Sequence, residues 1–297
     1  MGGPAPERAG PDPRGSARGQ SILSLPRRLR ERLRRELVRG AGLVLILDYD
    51  GTLTPIVPWP EAARLAPSVR KTLRQLAESP RVRLAILSGR SLPDVRGRVR
   101  LARVVYGGCH GLEIQGPGVR FRHPEARARS ARVRAAVRAL ARQLHGFPGA
   151  FLERKGLSVS LHYRRVPRHL RQELSGVAAR LERHAPGLTT LPGKHVIEFM
   201  PVVNWNKGRA ARWIAKRLAL ALRPRPRVIL YAGDDATDEA AFRALKGRGL
   251  TIRVGAERGG AEYAVRHVRA IHALLRRIAR VIGPGGPEGR GNRGGGG

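Results

Sequence analysis

A chain of 297 residues, 41% of them hydrophobic, can bury one large or two modest cores, and its single cysteine excludes an internal disulfide framework and fits a reducing compartment. No apolar run approaches the roughly 20 residues that span a bilayer, and residues 1–21 lack the apolar core of a secretory signal, so a cytoplasmic protein without a membrane partner is expected. The 58 Lys+Arg against 22 Asp+Glu leave a formal net charge of +36, which suggests nucleic acid, yet aromatics make up only 4% and no zinc pattern or binding module accompanies the charge.

Residues 1–20 and the Gly-rich 283–297 lack the apolar groups that offset the entropy of ordering and are expected as disordered tails. Residues 26–40 predict a basic helix with Leu29, Leu33 and Leu37 on one stripe, closed by Gly40 and Gly42. Residues 43–47 are continuously apolar, as in a parallel strand buried on both faces. A helix over 67–78, a strand over 82–87, a helix over 91–99 and a strand over 104–106 follow. The same alternation resumes with a helix over 206–222, a strand over 228–231, a helix over 236–245, a strand over 251–254 and a helix over 268–282. This pattern predicts a doubly wound, mostly parallel α/β sheet.

The middle of the chain differs. A helix over 124–144 precedes strands over 150–154 and 157–163, split by Lys155-Gly156. A helix over 167–184 then precedes strands over 188–191 and 196–200, split by Pro192-Gly193. The order α-β-β-α-β-β suits a small antiparallel sheet backed by helices. The expected organisation is therefore an α/β core over 21–123 and 201–282 with an α+β cap domain over 124–200 inserted between its halves.

Among the basic residues only six are lysine and 52 are arginine, and aspartate occurs only seven times. Against that background a retained Lys or Asp is informative. Asp48 and Asp50 stand two apart on extended backbone directly after a buried strand, so both project into the crevice where open α/β sheets bind ligands. Gly51 lets the backbone turn there and bring its amides toward an anion. Ser88, in Leu87-Ser88-Gly89-Arg90, ends the second strand as either an ordinary N-cap or a contact to a phosphoryl oxygen. Lys207 sits at a helix start, an unfavourable place for a cation unless it serves an anionic ligand. The segment Gly233-Asp234-Asp235-Ala236-Thr237-Asp238-Glu239 follows another apolar strand. Its acids, converging on Asp48 and Asp50, would need a hard divalent cation, and with a phosphate substrate that ion is Mg2+.

Taken together, these motifs resemble the four motifs of the haloacid-dehalogenase-like phosphatases. The finer wording is similar to that of the trehalose-6-phosphate phosphatases: Leu47 to Ile56, Ser88-Gly89-Arg90, Gly108-Cys109-His110-Gly111-Leu112-Glu113 and the late acidic segment. In the cap, Glu153, Lys155, Ser158, His162, Tyr163 and Arg164 match the family's E-x-K…S-x-x-x-H-Y-R pattern, and Gly193, Lys194 and Glu198 its later G-K-x-x-x-E. The resemblance implies that Asp48 is the nucleophile and Asp50 the general acid and base. It also implies that Asp48, the Asp50 carbonyl and Asp234 hold Mg2+, with Asp235 and Asp238 holding its waters or positioning Lys207. Ser88 and Lys207 would stabilise the transferring phosphoryl group. Substrate contacts would come from Gly51, Thr52, Gly89, Arg90 and His110 in the core and Glu153, Lys155, His162, Arg164, Lys194 and Glu198 in the cap. The implied protein is a monomer acting on a small sugar phosphate, with no specific nucleic-acid partner. Met200 departs from the family, which often has a basic residue before the following proline, and Trp205 is expected as a hinge or core aromatic. Phosphatases of other sugar phosphates, such as sucrose 6-phosphate or a mannosyl phosphoglycerate, share this cap class, and a nucleic-acid binder using the +36 charge is the alternative of a different kind.

Overall fold

In the computed structural model, which describes residues 25–193, 195–222, 227–255 and 259–283, the first half of the chain forms α1 (Arg27–Val38), β1 (Gly42–Leu47), α2 (Pro67–Glu78), β2 (Val82–Leu87), α3 (Leu92–Val99), β3 (Val104–Gly108), β4 (Glu113–Gly116) and β5 (Val119–Arg122). A middle segment follows, made of α4 (Pro124–Gln143), β6 (Phe151–Arg154), β7 (Val159–His162), α5 (Arg171–His184), β8 (Leu188–Gly193) and β9 (Val196–Pro201). The chain then continues as α6 (Lys207–Leu220), β10 (Arg227–Gly233), α7 (Asp238–Leu245), β11 (Leu250–Val254), β12 (Tyr263–Val265) and α8 (Val268–Ile282). The N-terminal tail and the C-terminal one beyond Gly283 lie outside the described residues.

The larger sheet has the order β12-β11-β10-β1-β2-β3-β4-β5, parallel except for β4 and β5. Every residue of β1 is buried, because its alternating side chains feed two different cores. Leu43, Leu45 and Leu47 pack with the apolar stripes of α1, α2, α3 and α8, while Val44 and Ile46 pack with those of α6 and α7. Helices on both faces make the sheet doubly wound, as expected. Leu29, Leu33 and Leu37 all bury on the first face, so the basic N-terminal helix is part of the core and turns its arginines outward.

The middle segment builds a second, antiparallel sheet of order β6-β7-β9-β8, with its own core from α4, α5 and the inner strand faces. Two details correct the expectation. Pro192 and Gly193 do not split two strands: both belong to β8, paired with Ile197 and Val196, and the chain turns after them. An edge strand tolerates a proline because its missing N–H faces no partner, and β8 is an edge. The hairpin of β4 and β5 and the three-residue β12, absent from the sequence pattern, extend the larger sheet at its two ends. Among the described residues, no helix is long and apolar enough to cross a membrane.

Candidate active site

Four loops meet at the carboxyl ends of the parallel strands. Asp48 follows β1 and donates its amide to the Ala232 carbonyl of neighbouring β10. The next residues form a tight turn in which the Leu53 and Thr54 amides return to the Tyr49 carbonyl and the Gly51 amide to the Thr54 carbonyl. Gly51 thus spends its amide within the turn instead of presenting it to an anion. What the glycine supplies is a positive φ of 78° and room: a Cβ there would lie 1.9 Å from Asp234 Oδ2. The turn after β1 and the acidic loop after β10 can approach only because residue 51 has no side chain. Thr52 is fully buried, its hydroxyl 3.5 Å from Asp234 Oδ1.

Lys207 opens α6, and its ammonium bridges Asp48 Oδ1 and Asp238 Oδ1, each at 2.7 Å. Asp238 is fully buried and fully engaged, accepting from Tyr231 Oη at 2.5 Å and from the Asp234 and Asp235 amides at 3.0 Å each. It therefore fixes Lys207 and the acidic loop at once. Burial pushes the Asp48 carboxyl well above the usual carboxylate range; Lys207 pulls it down, and Asp238 and Asp234 push it up again. Burial works against the Lys207 charge as well, yet Asp238 and Asp48 hold its ammonium above the ordinary lysine value.

Carboxylate oxygens of Asp48, Asp234 and Asp238 lie within 4.8 Å of one another. With Asp238 saturated by protein donors, Asp48 and Asp234 are the side chains left to hold a cation. An all-oxygen donor set, with one carboxyl raised first by burial and then by its acidic neighbours, fits a hard divalent ion.

Ser88 ends β2 and accepts from the Arg90 amide at 3.1 Å, while the N-cap of α3 is Ser91. The Arg90 guanidinium is engaged on every side. It donates to Asp50 Oδ2 at 2.6 Å, Asp50 Oδ1 at 2.7 Å, Asp94 at 2.8 Å and the Pro60 carbonyl at 2.8 Å. It lines the cavity, where a substrate contact was expected, and it also fixes Asp50, whose side chain remains 42% exposed.

The smaller unit supplies the facing wall. Lys155 reaches the Gly89 carbonyl at 3.3 Å and lies 3.7 Å from Glu198; Glu198 also pairs with His110 of the larger unit at 3.0 Å and accepts from Ser158 at 2.6 Å. His110 packs so closely under Gly89 that a Cβ there would lie 2.8 Å from its ring. Glu153 is bonded to His162 at 2.8 Å. The cavity between the units, about 240 Å³, is lined by Asp48, Asp50, Ser88, Gly89, Arg90, His110, Glu153, Lys155, His162, Arg164, Glu198, Lys207, Asp234 and Asp235. Gly51, Thr52 and Asp238 stand behind this lining, and Lys194 lies outside the described residues. Trp205 is a core aromatic: it stacks on Phe121 at 4.9 Å and donates to the Gly111 carbonyl at 2.9 Å.

Burial opposes the Glu198 charge, but Lys155 and His110 outweigh it and hold the carboxyl down to about 2, against an ordinary 4.5. A carboxyl depressed in the folded state stabilises it above the unfolded value, and that stability drains as pH falls toward the folded one. The urea midpoint of the parent should therefore fall between pH 4.5 and pH 2, and Glu198→Gln should flatten that fall. An equally steep fall in the variant would assign the acid sensitivity to other groups.

Residues 46–269 match the trehalose-phosphatase family. The chain is 39% identical over 212 residues to the trehalose-phosphate phosphatase of Mycobacterium tuberculosis, covering 71% of this chain and 53% of that one. It is also 39% identical over 222 residues to an uncharacterized glycosyl hydrolase of the same organism, covering 74% of this chain and 16% of that one. The chain thus spans about half the length, or less, of these curated relatives. The crystal structure of a trehalose-6-phosphate phosphatase related protein superposes with a TM-score of 0.69 at 28% identity, covering 80% of this chain and 97% of that one. By sequence and by fold, then, the chain belongs to the trehalose-phosphatase family, on a haloacid-dehalogenase-like scaffold.

Proposed function

We propose that this chain hydrolyses trehalose 6-phosphate to trehalose and phosphate, a step of trehalose biosynthesis. One observation carries the reading: a single cavity has the Asp48–Lys207 pair on one wall and Glu153, Lys155 and Glu198 on the other. The first wall suits a phosphoryl group, the second the hydroxyls of a sugar. We take residues 124–200 as a cap on the core of 21–123 and 201–282, with the site between them.

In this reading an Asp48 oxygen attacks phosphorus in line, forming an aspartyl-phosphate as the bond to the sugar oxygen breaks. Lys207 and Ser88 stabilise charge on the transferring oxygens. Asp50 gives its proton to the leaving sugar oxygen, then takes one from the water that attacks the aspartyl-phosphate and frees Asp48. Because both Asp50 oxygens accept from Arg90, one of those hydrogen bonds must open for the proton to be delivered. Asp48, the Asp50 main-chain carbonyl and Asp234 would hold Mg2+, which when bound supplies positive charge against the phosphoryl oxygens. Asp235 faces the cavity and would hold water there. We take the chain to act as a monomer. The buried, unpaired Cys109 supports a reducing compartment, the cytoplasm, and no step calls on nucleic acid.

The test is phosphate release from trehalose 6-phosphate, sucrose 6-phosphate, glucose 6-phosphate and a small aryl phosphate. Trehalose 6-phosphate should give the highest kcat/KM, and chelation should reduce all rates to background until Mg2+ is restored. A better rate on another sugar phosphate would overturn the substrate; full turnover in chelator would overturn the metal.

A further inference from the structure

The mechanism leaves Pro55-Ile56-Val57-Pro58-Trp59-Pro60, just beyond the first motif, without a role. Among the described residues, Ile56 (50% exposed), Trp59 (40%) and Phe151 (37%) are large apolar side chains left in solvent, and all three line the cavity that holds Asp48 and Asp50. Apolar surface held open at the edge of a polar catalytic cavity costs free energy unless something covers it, which points to a ligand with an apolar face.

Trp59 is also held in place. Its carbonyl accepts from the Ala62 amide at 3.0 Å, and the Pro60 carbonyl accepts from Arg90, the residue that fixes Asp50. Prolines on both sides restrict the backbone. The Arg165 guanidinium, from the smaller unit, lies 4.9 Å from the indole centroid. Trp205 and Trp213, by contrast, pack against Phe121. Phe151 is stacked on His162 at 4.5 Å with the rings 10° apart, and Glu153 holds His162. Aromatic rings fixed before a ligand arrives give contact area at little entropic cost.

We propose that Trp59 determines specificity, its indole packing on the C–H face of the second sugar ring of a disaccharide leaving group, with Phe151 completing the apolar contact. This rests on the sugar-phosphate reading above. A pyranose offers both hydroxyls, for Glu153 and its neighbours, and a face of C–H bonds, for an aromatic ring; a small leaving group offers the indole far less.

The experiment compares kcat and KM of the parent, Trp59→Ala and Trp59→Phe on trehalose 6-phosphate and on a small aryl phosphate. Trp59→Ala should lower the preference for the disaccharide phosphate about tenfold, through KM, and Trp59→Phe should recover most of it. An unchanged preference would overturn the proposal. So would a fall that came through kcat alone. Should another sugar phosphate prove the best substrate, the trehalose reading fails, and the Trp59 comparison made on that substrate still decides. Intrinsic fluorescence adds a readout without turnover: trehalose alone should change the parent's emission saturably, and Trp59→Phe should remove that change while Trp205 and Trp213 still emit. No change in the parent, or an equal change in the variant, would count against Trp59.

Discussion

Asp48→Asn is expected to reduce turnover of every phosphate ester by about four orders of magnitude or more, while leaving the fold at least as stable as the parent's. The loss follows from chemistry, since an amide oxygen cannot serve as the nucleophile that a carboxylate provides. The stability follows from the local electrostatics. Asp48 is only 4% exposed, and its carboxyl is raised by burial first, with Lys207 opposing and Asp238 and Asp234 reinforcing. Removing one negative charge from that group relieves repulsion, and Lys207 keeps Asp238 at 2.7 Å. Single-turnover phosphate release and thermal unfolding in chelator are the two measurements. Residual turnover near the parent's would displace Asp48 as nucleophile. A melting point several degrees lower would show that its charge was a net gain for the fold.

Lys207→Met should do the opposite to stability. It keeps most of the buried stem but leaves Asp48 and Asp238 without their shared cation, and Asp238 is fully buried. Breaking a buried pair from one side costs about 3–5 kcal/mol, so unfolding in chelator should shift by that order. Turnover should fall by about a thousandfold, the scale on which a donor to the transferring charge acts. Added Mg2+ should restore part of the stability and little of the rate, because it can neutralise the carboxylates without replacing the ammonium's hydrogen bonds. A variant as stable as the parent in chelator would mean that Lys207 contributes nothing net to the fold. A raised lysine value keeps the Lys207 ammonium charged below its ordinary titration, and that charge is lost only as pH rises through the folded value.

The fold's centre was legible because β1, most of β2 and the middle of β10 announce buried strands by apolar runs and the helices by their stripes. Scarcity made the core half of the site legible: in a chain with few lysines and aspartates, Asp48, Asp234 and Lys207 stood out. Partners were harder. The donors of Arg90 go to Asp50, Asp94 and Pro60, a choice that depends on where a distant loop lies and that local sequence does not show. A glycine after two aspartates suggested exposed amides, whereas Gly51 is there for the approach of Asp234. Trp59 carried no signal at all, since a lone aromatic between prolines acquires meaning only when Arg165 and Phe151 are brought to the same cavity. The β4–β5 hairpin escaped because four-residue strands on a sheet edge need little apolar content.

The placement of β1 beside β10 has a cost paid during synthesis. Gly42 pairs with Arg227 and Leu47 with Ala232, so most of the chain must be made before β1 has both neighbours. Until then a strand apolar on both faces presents an open edge, the feature most prone to pairing with another nascent chain. The intervening α+β unit has its own core and can form while β1 waits. Asp48 and Asp234, by contrast, come together only when β10 docks, so the site forms late in folding, and a chain stopped short of β10 would carry Asp48 without its acidic partner loop.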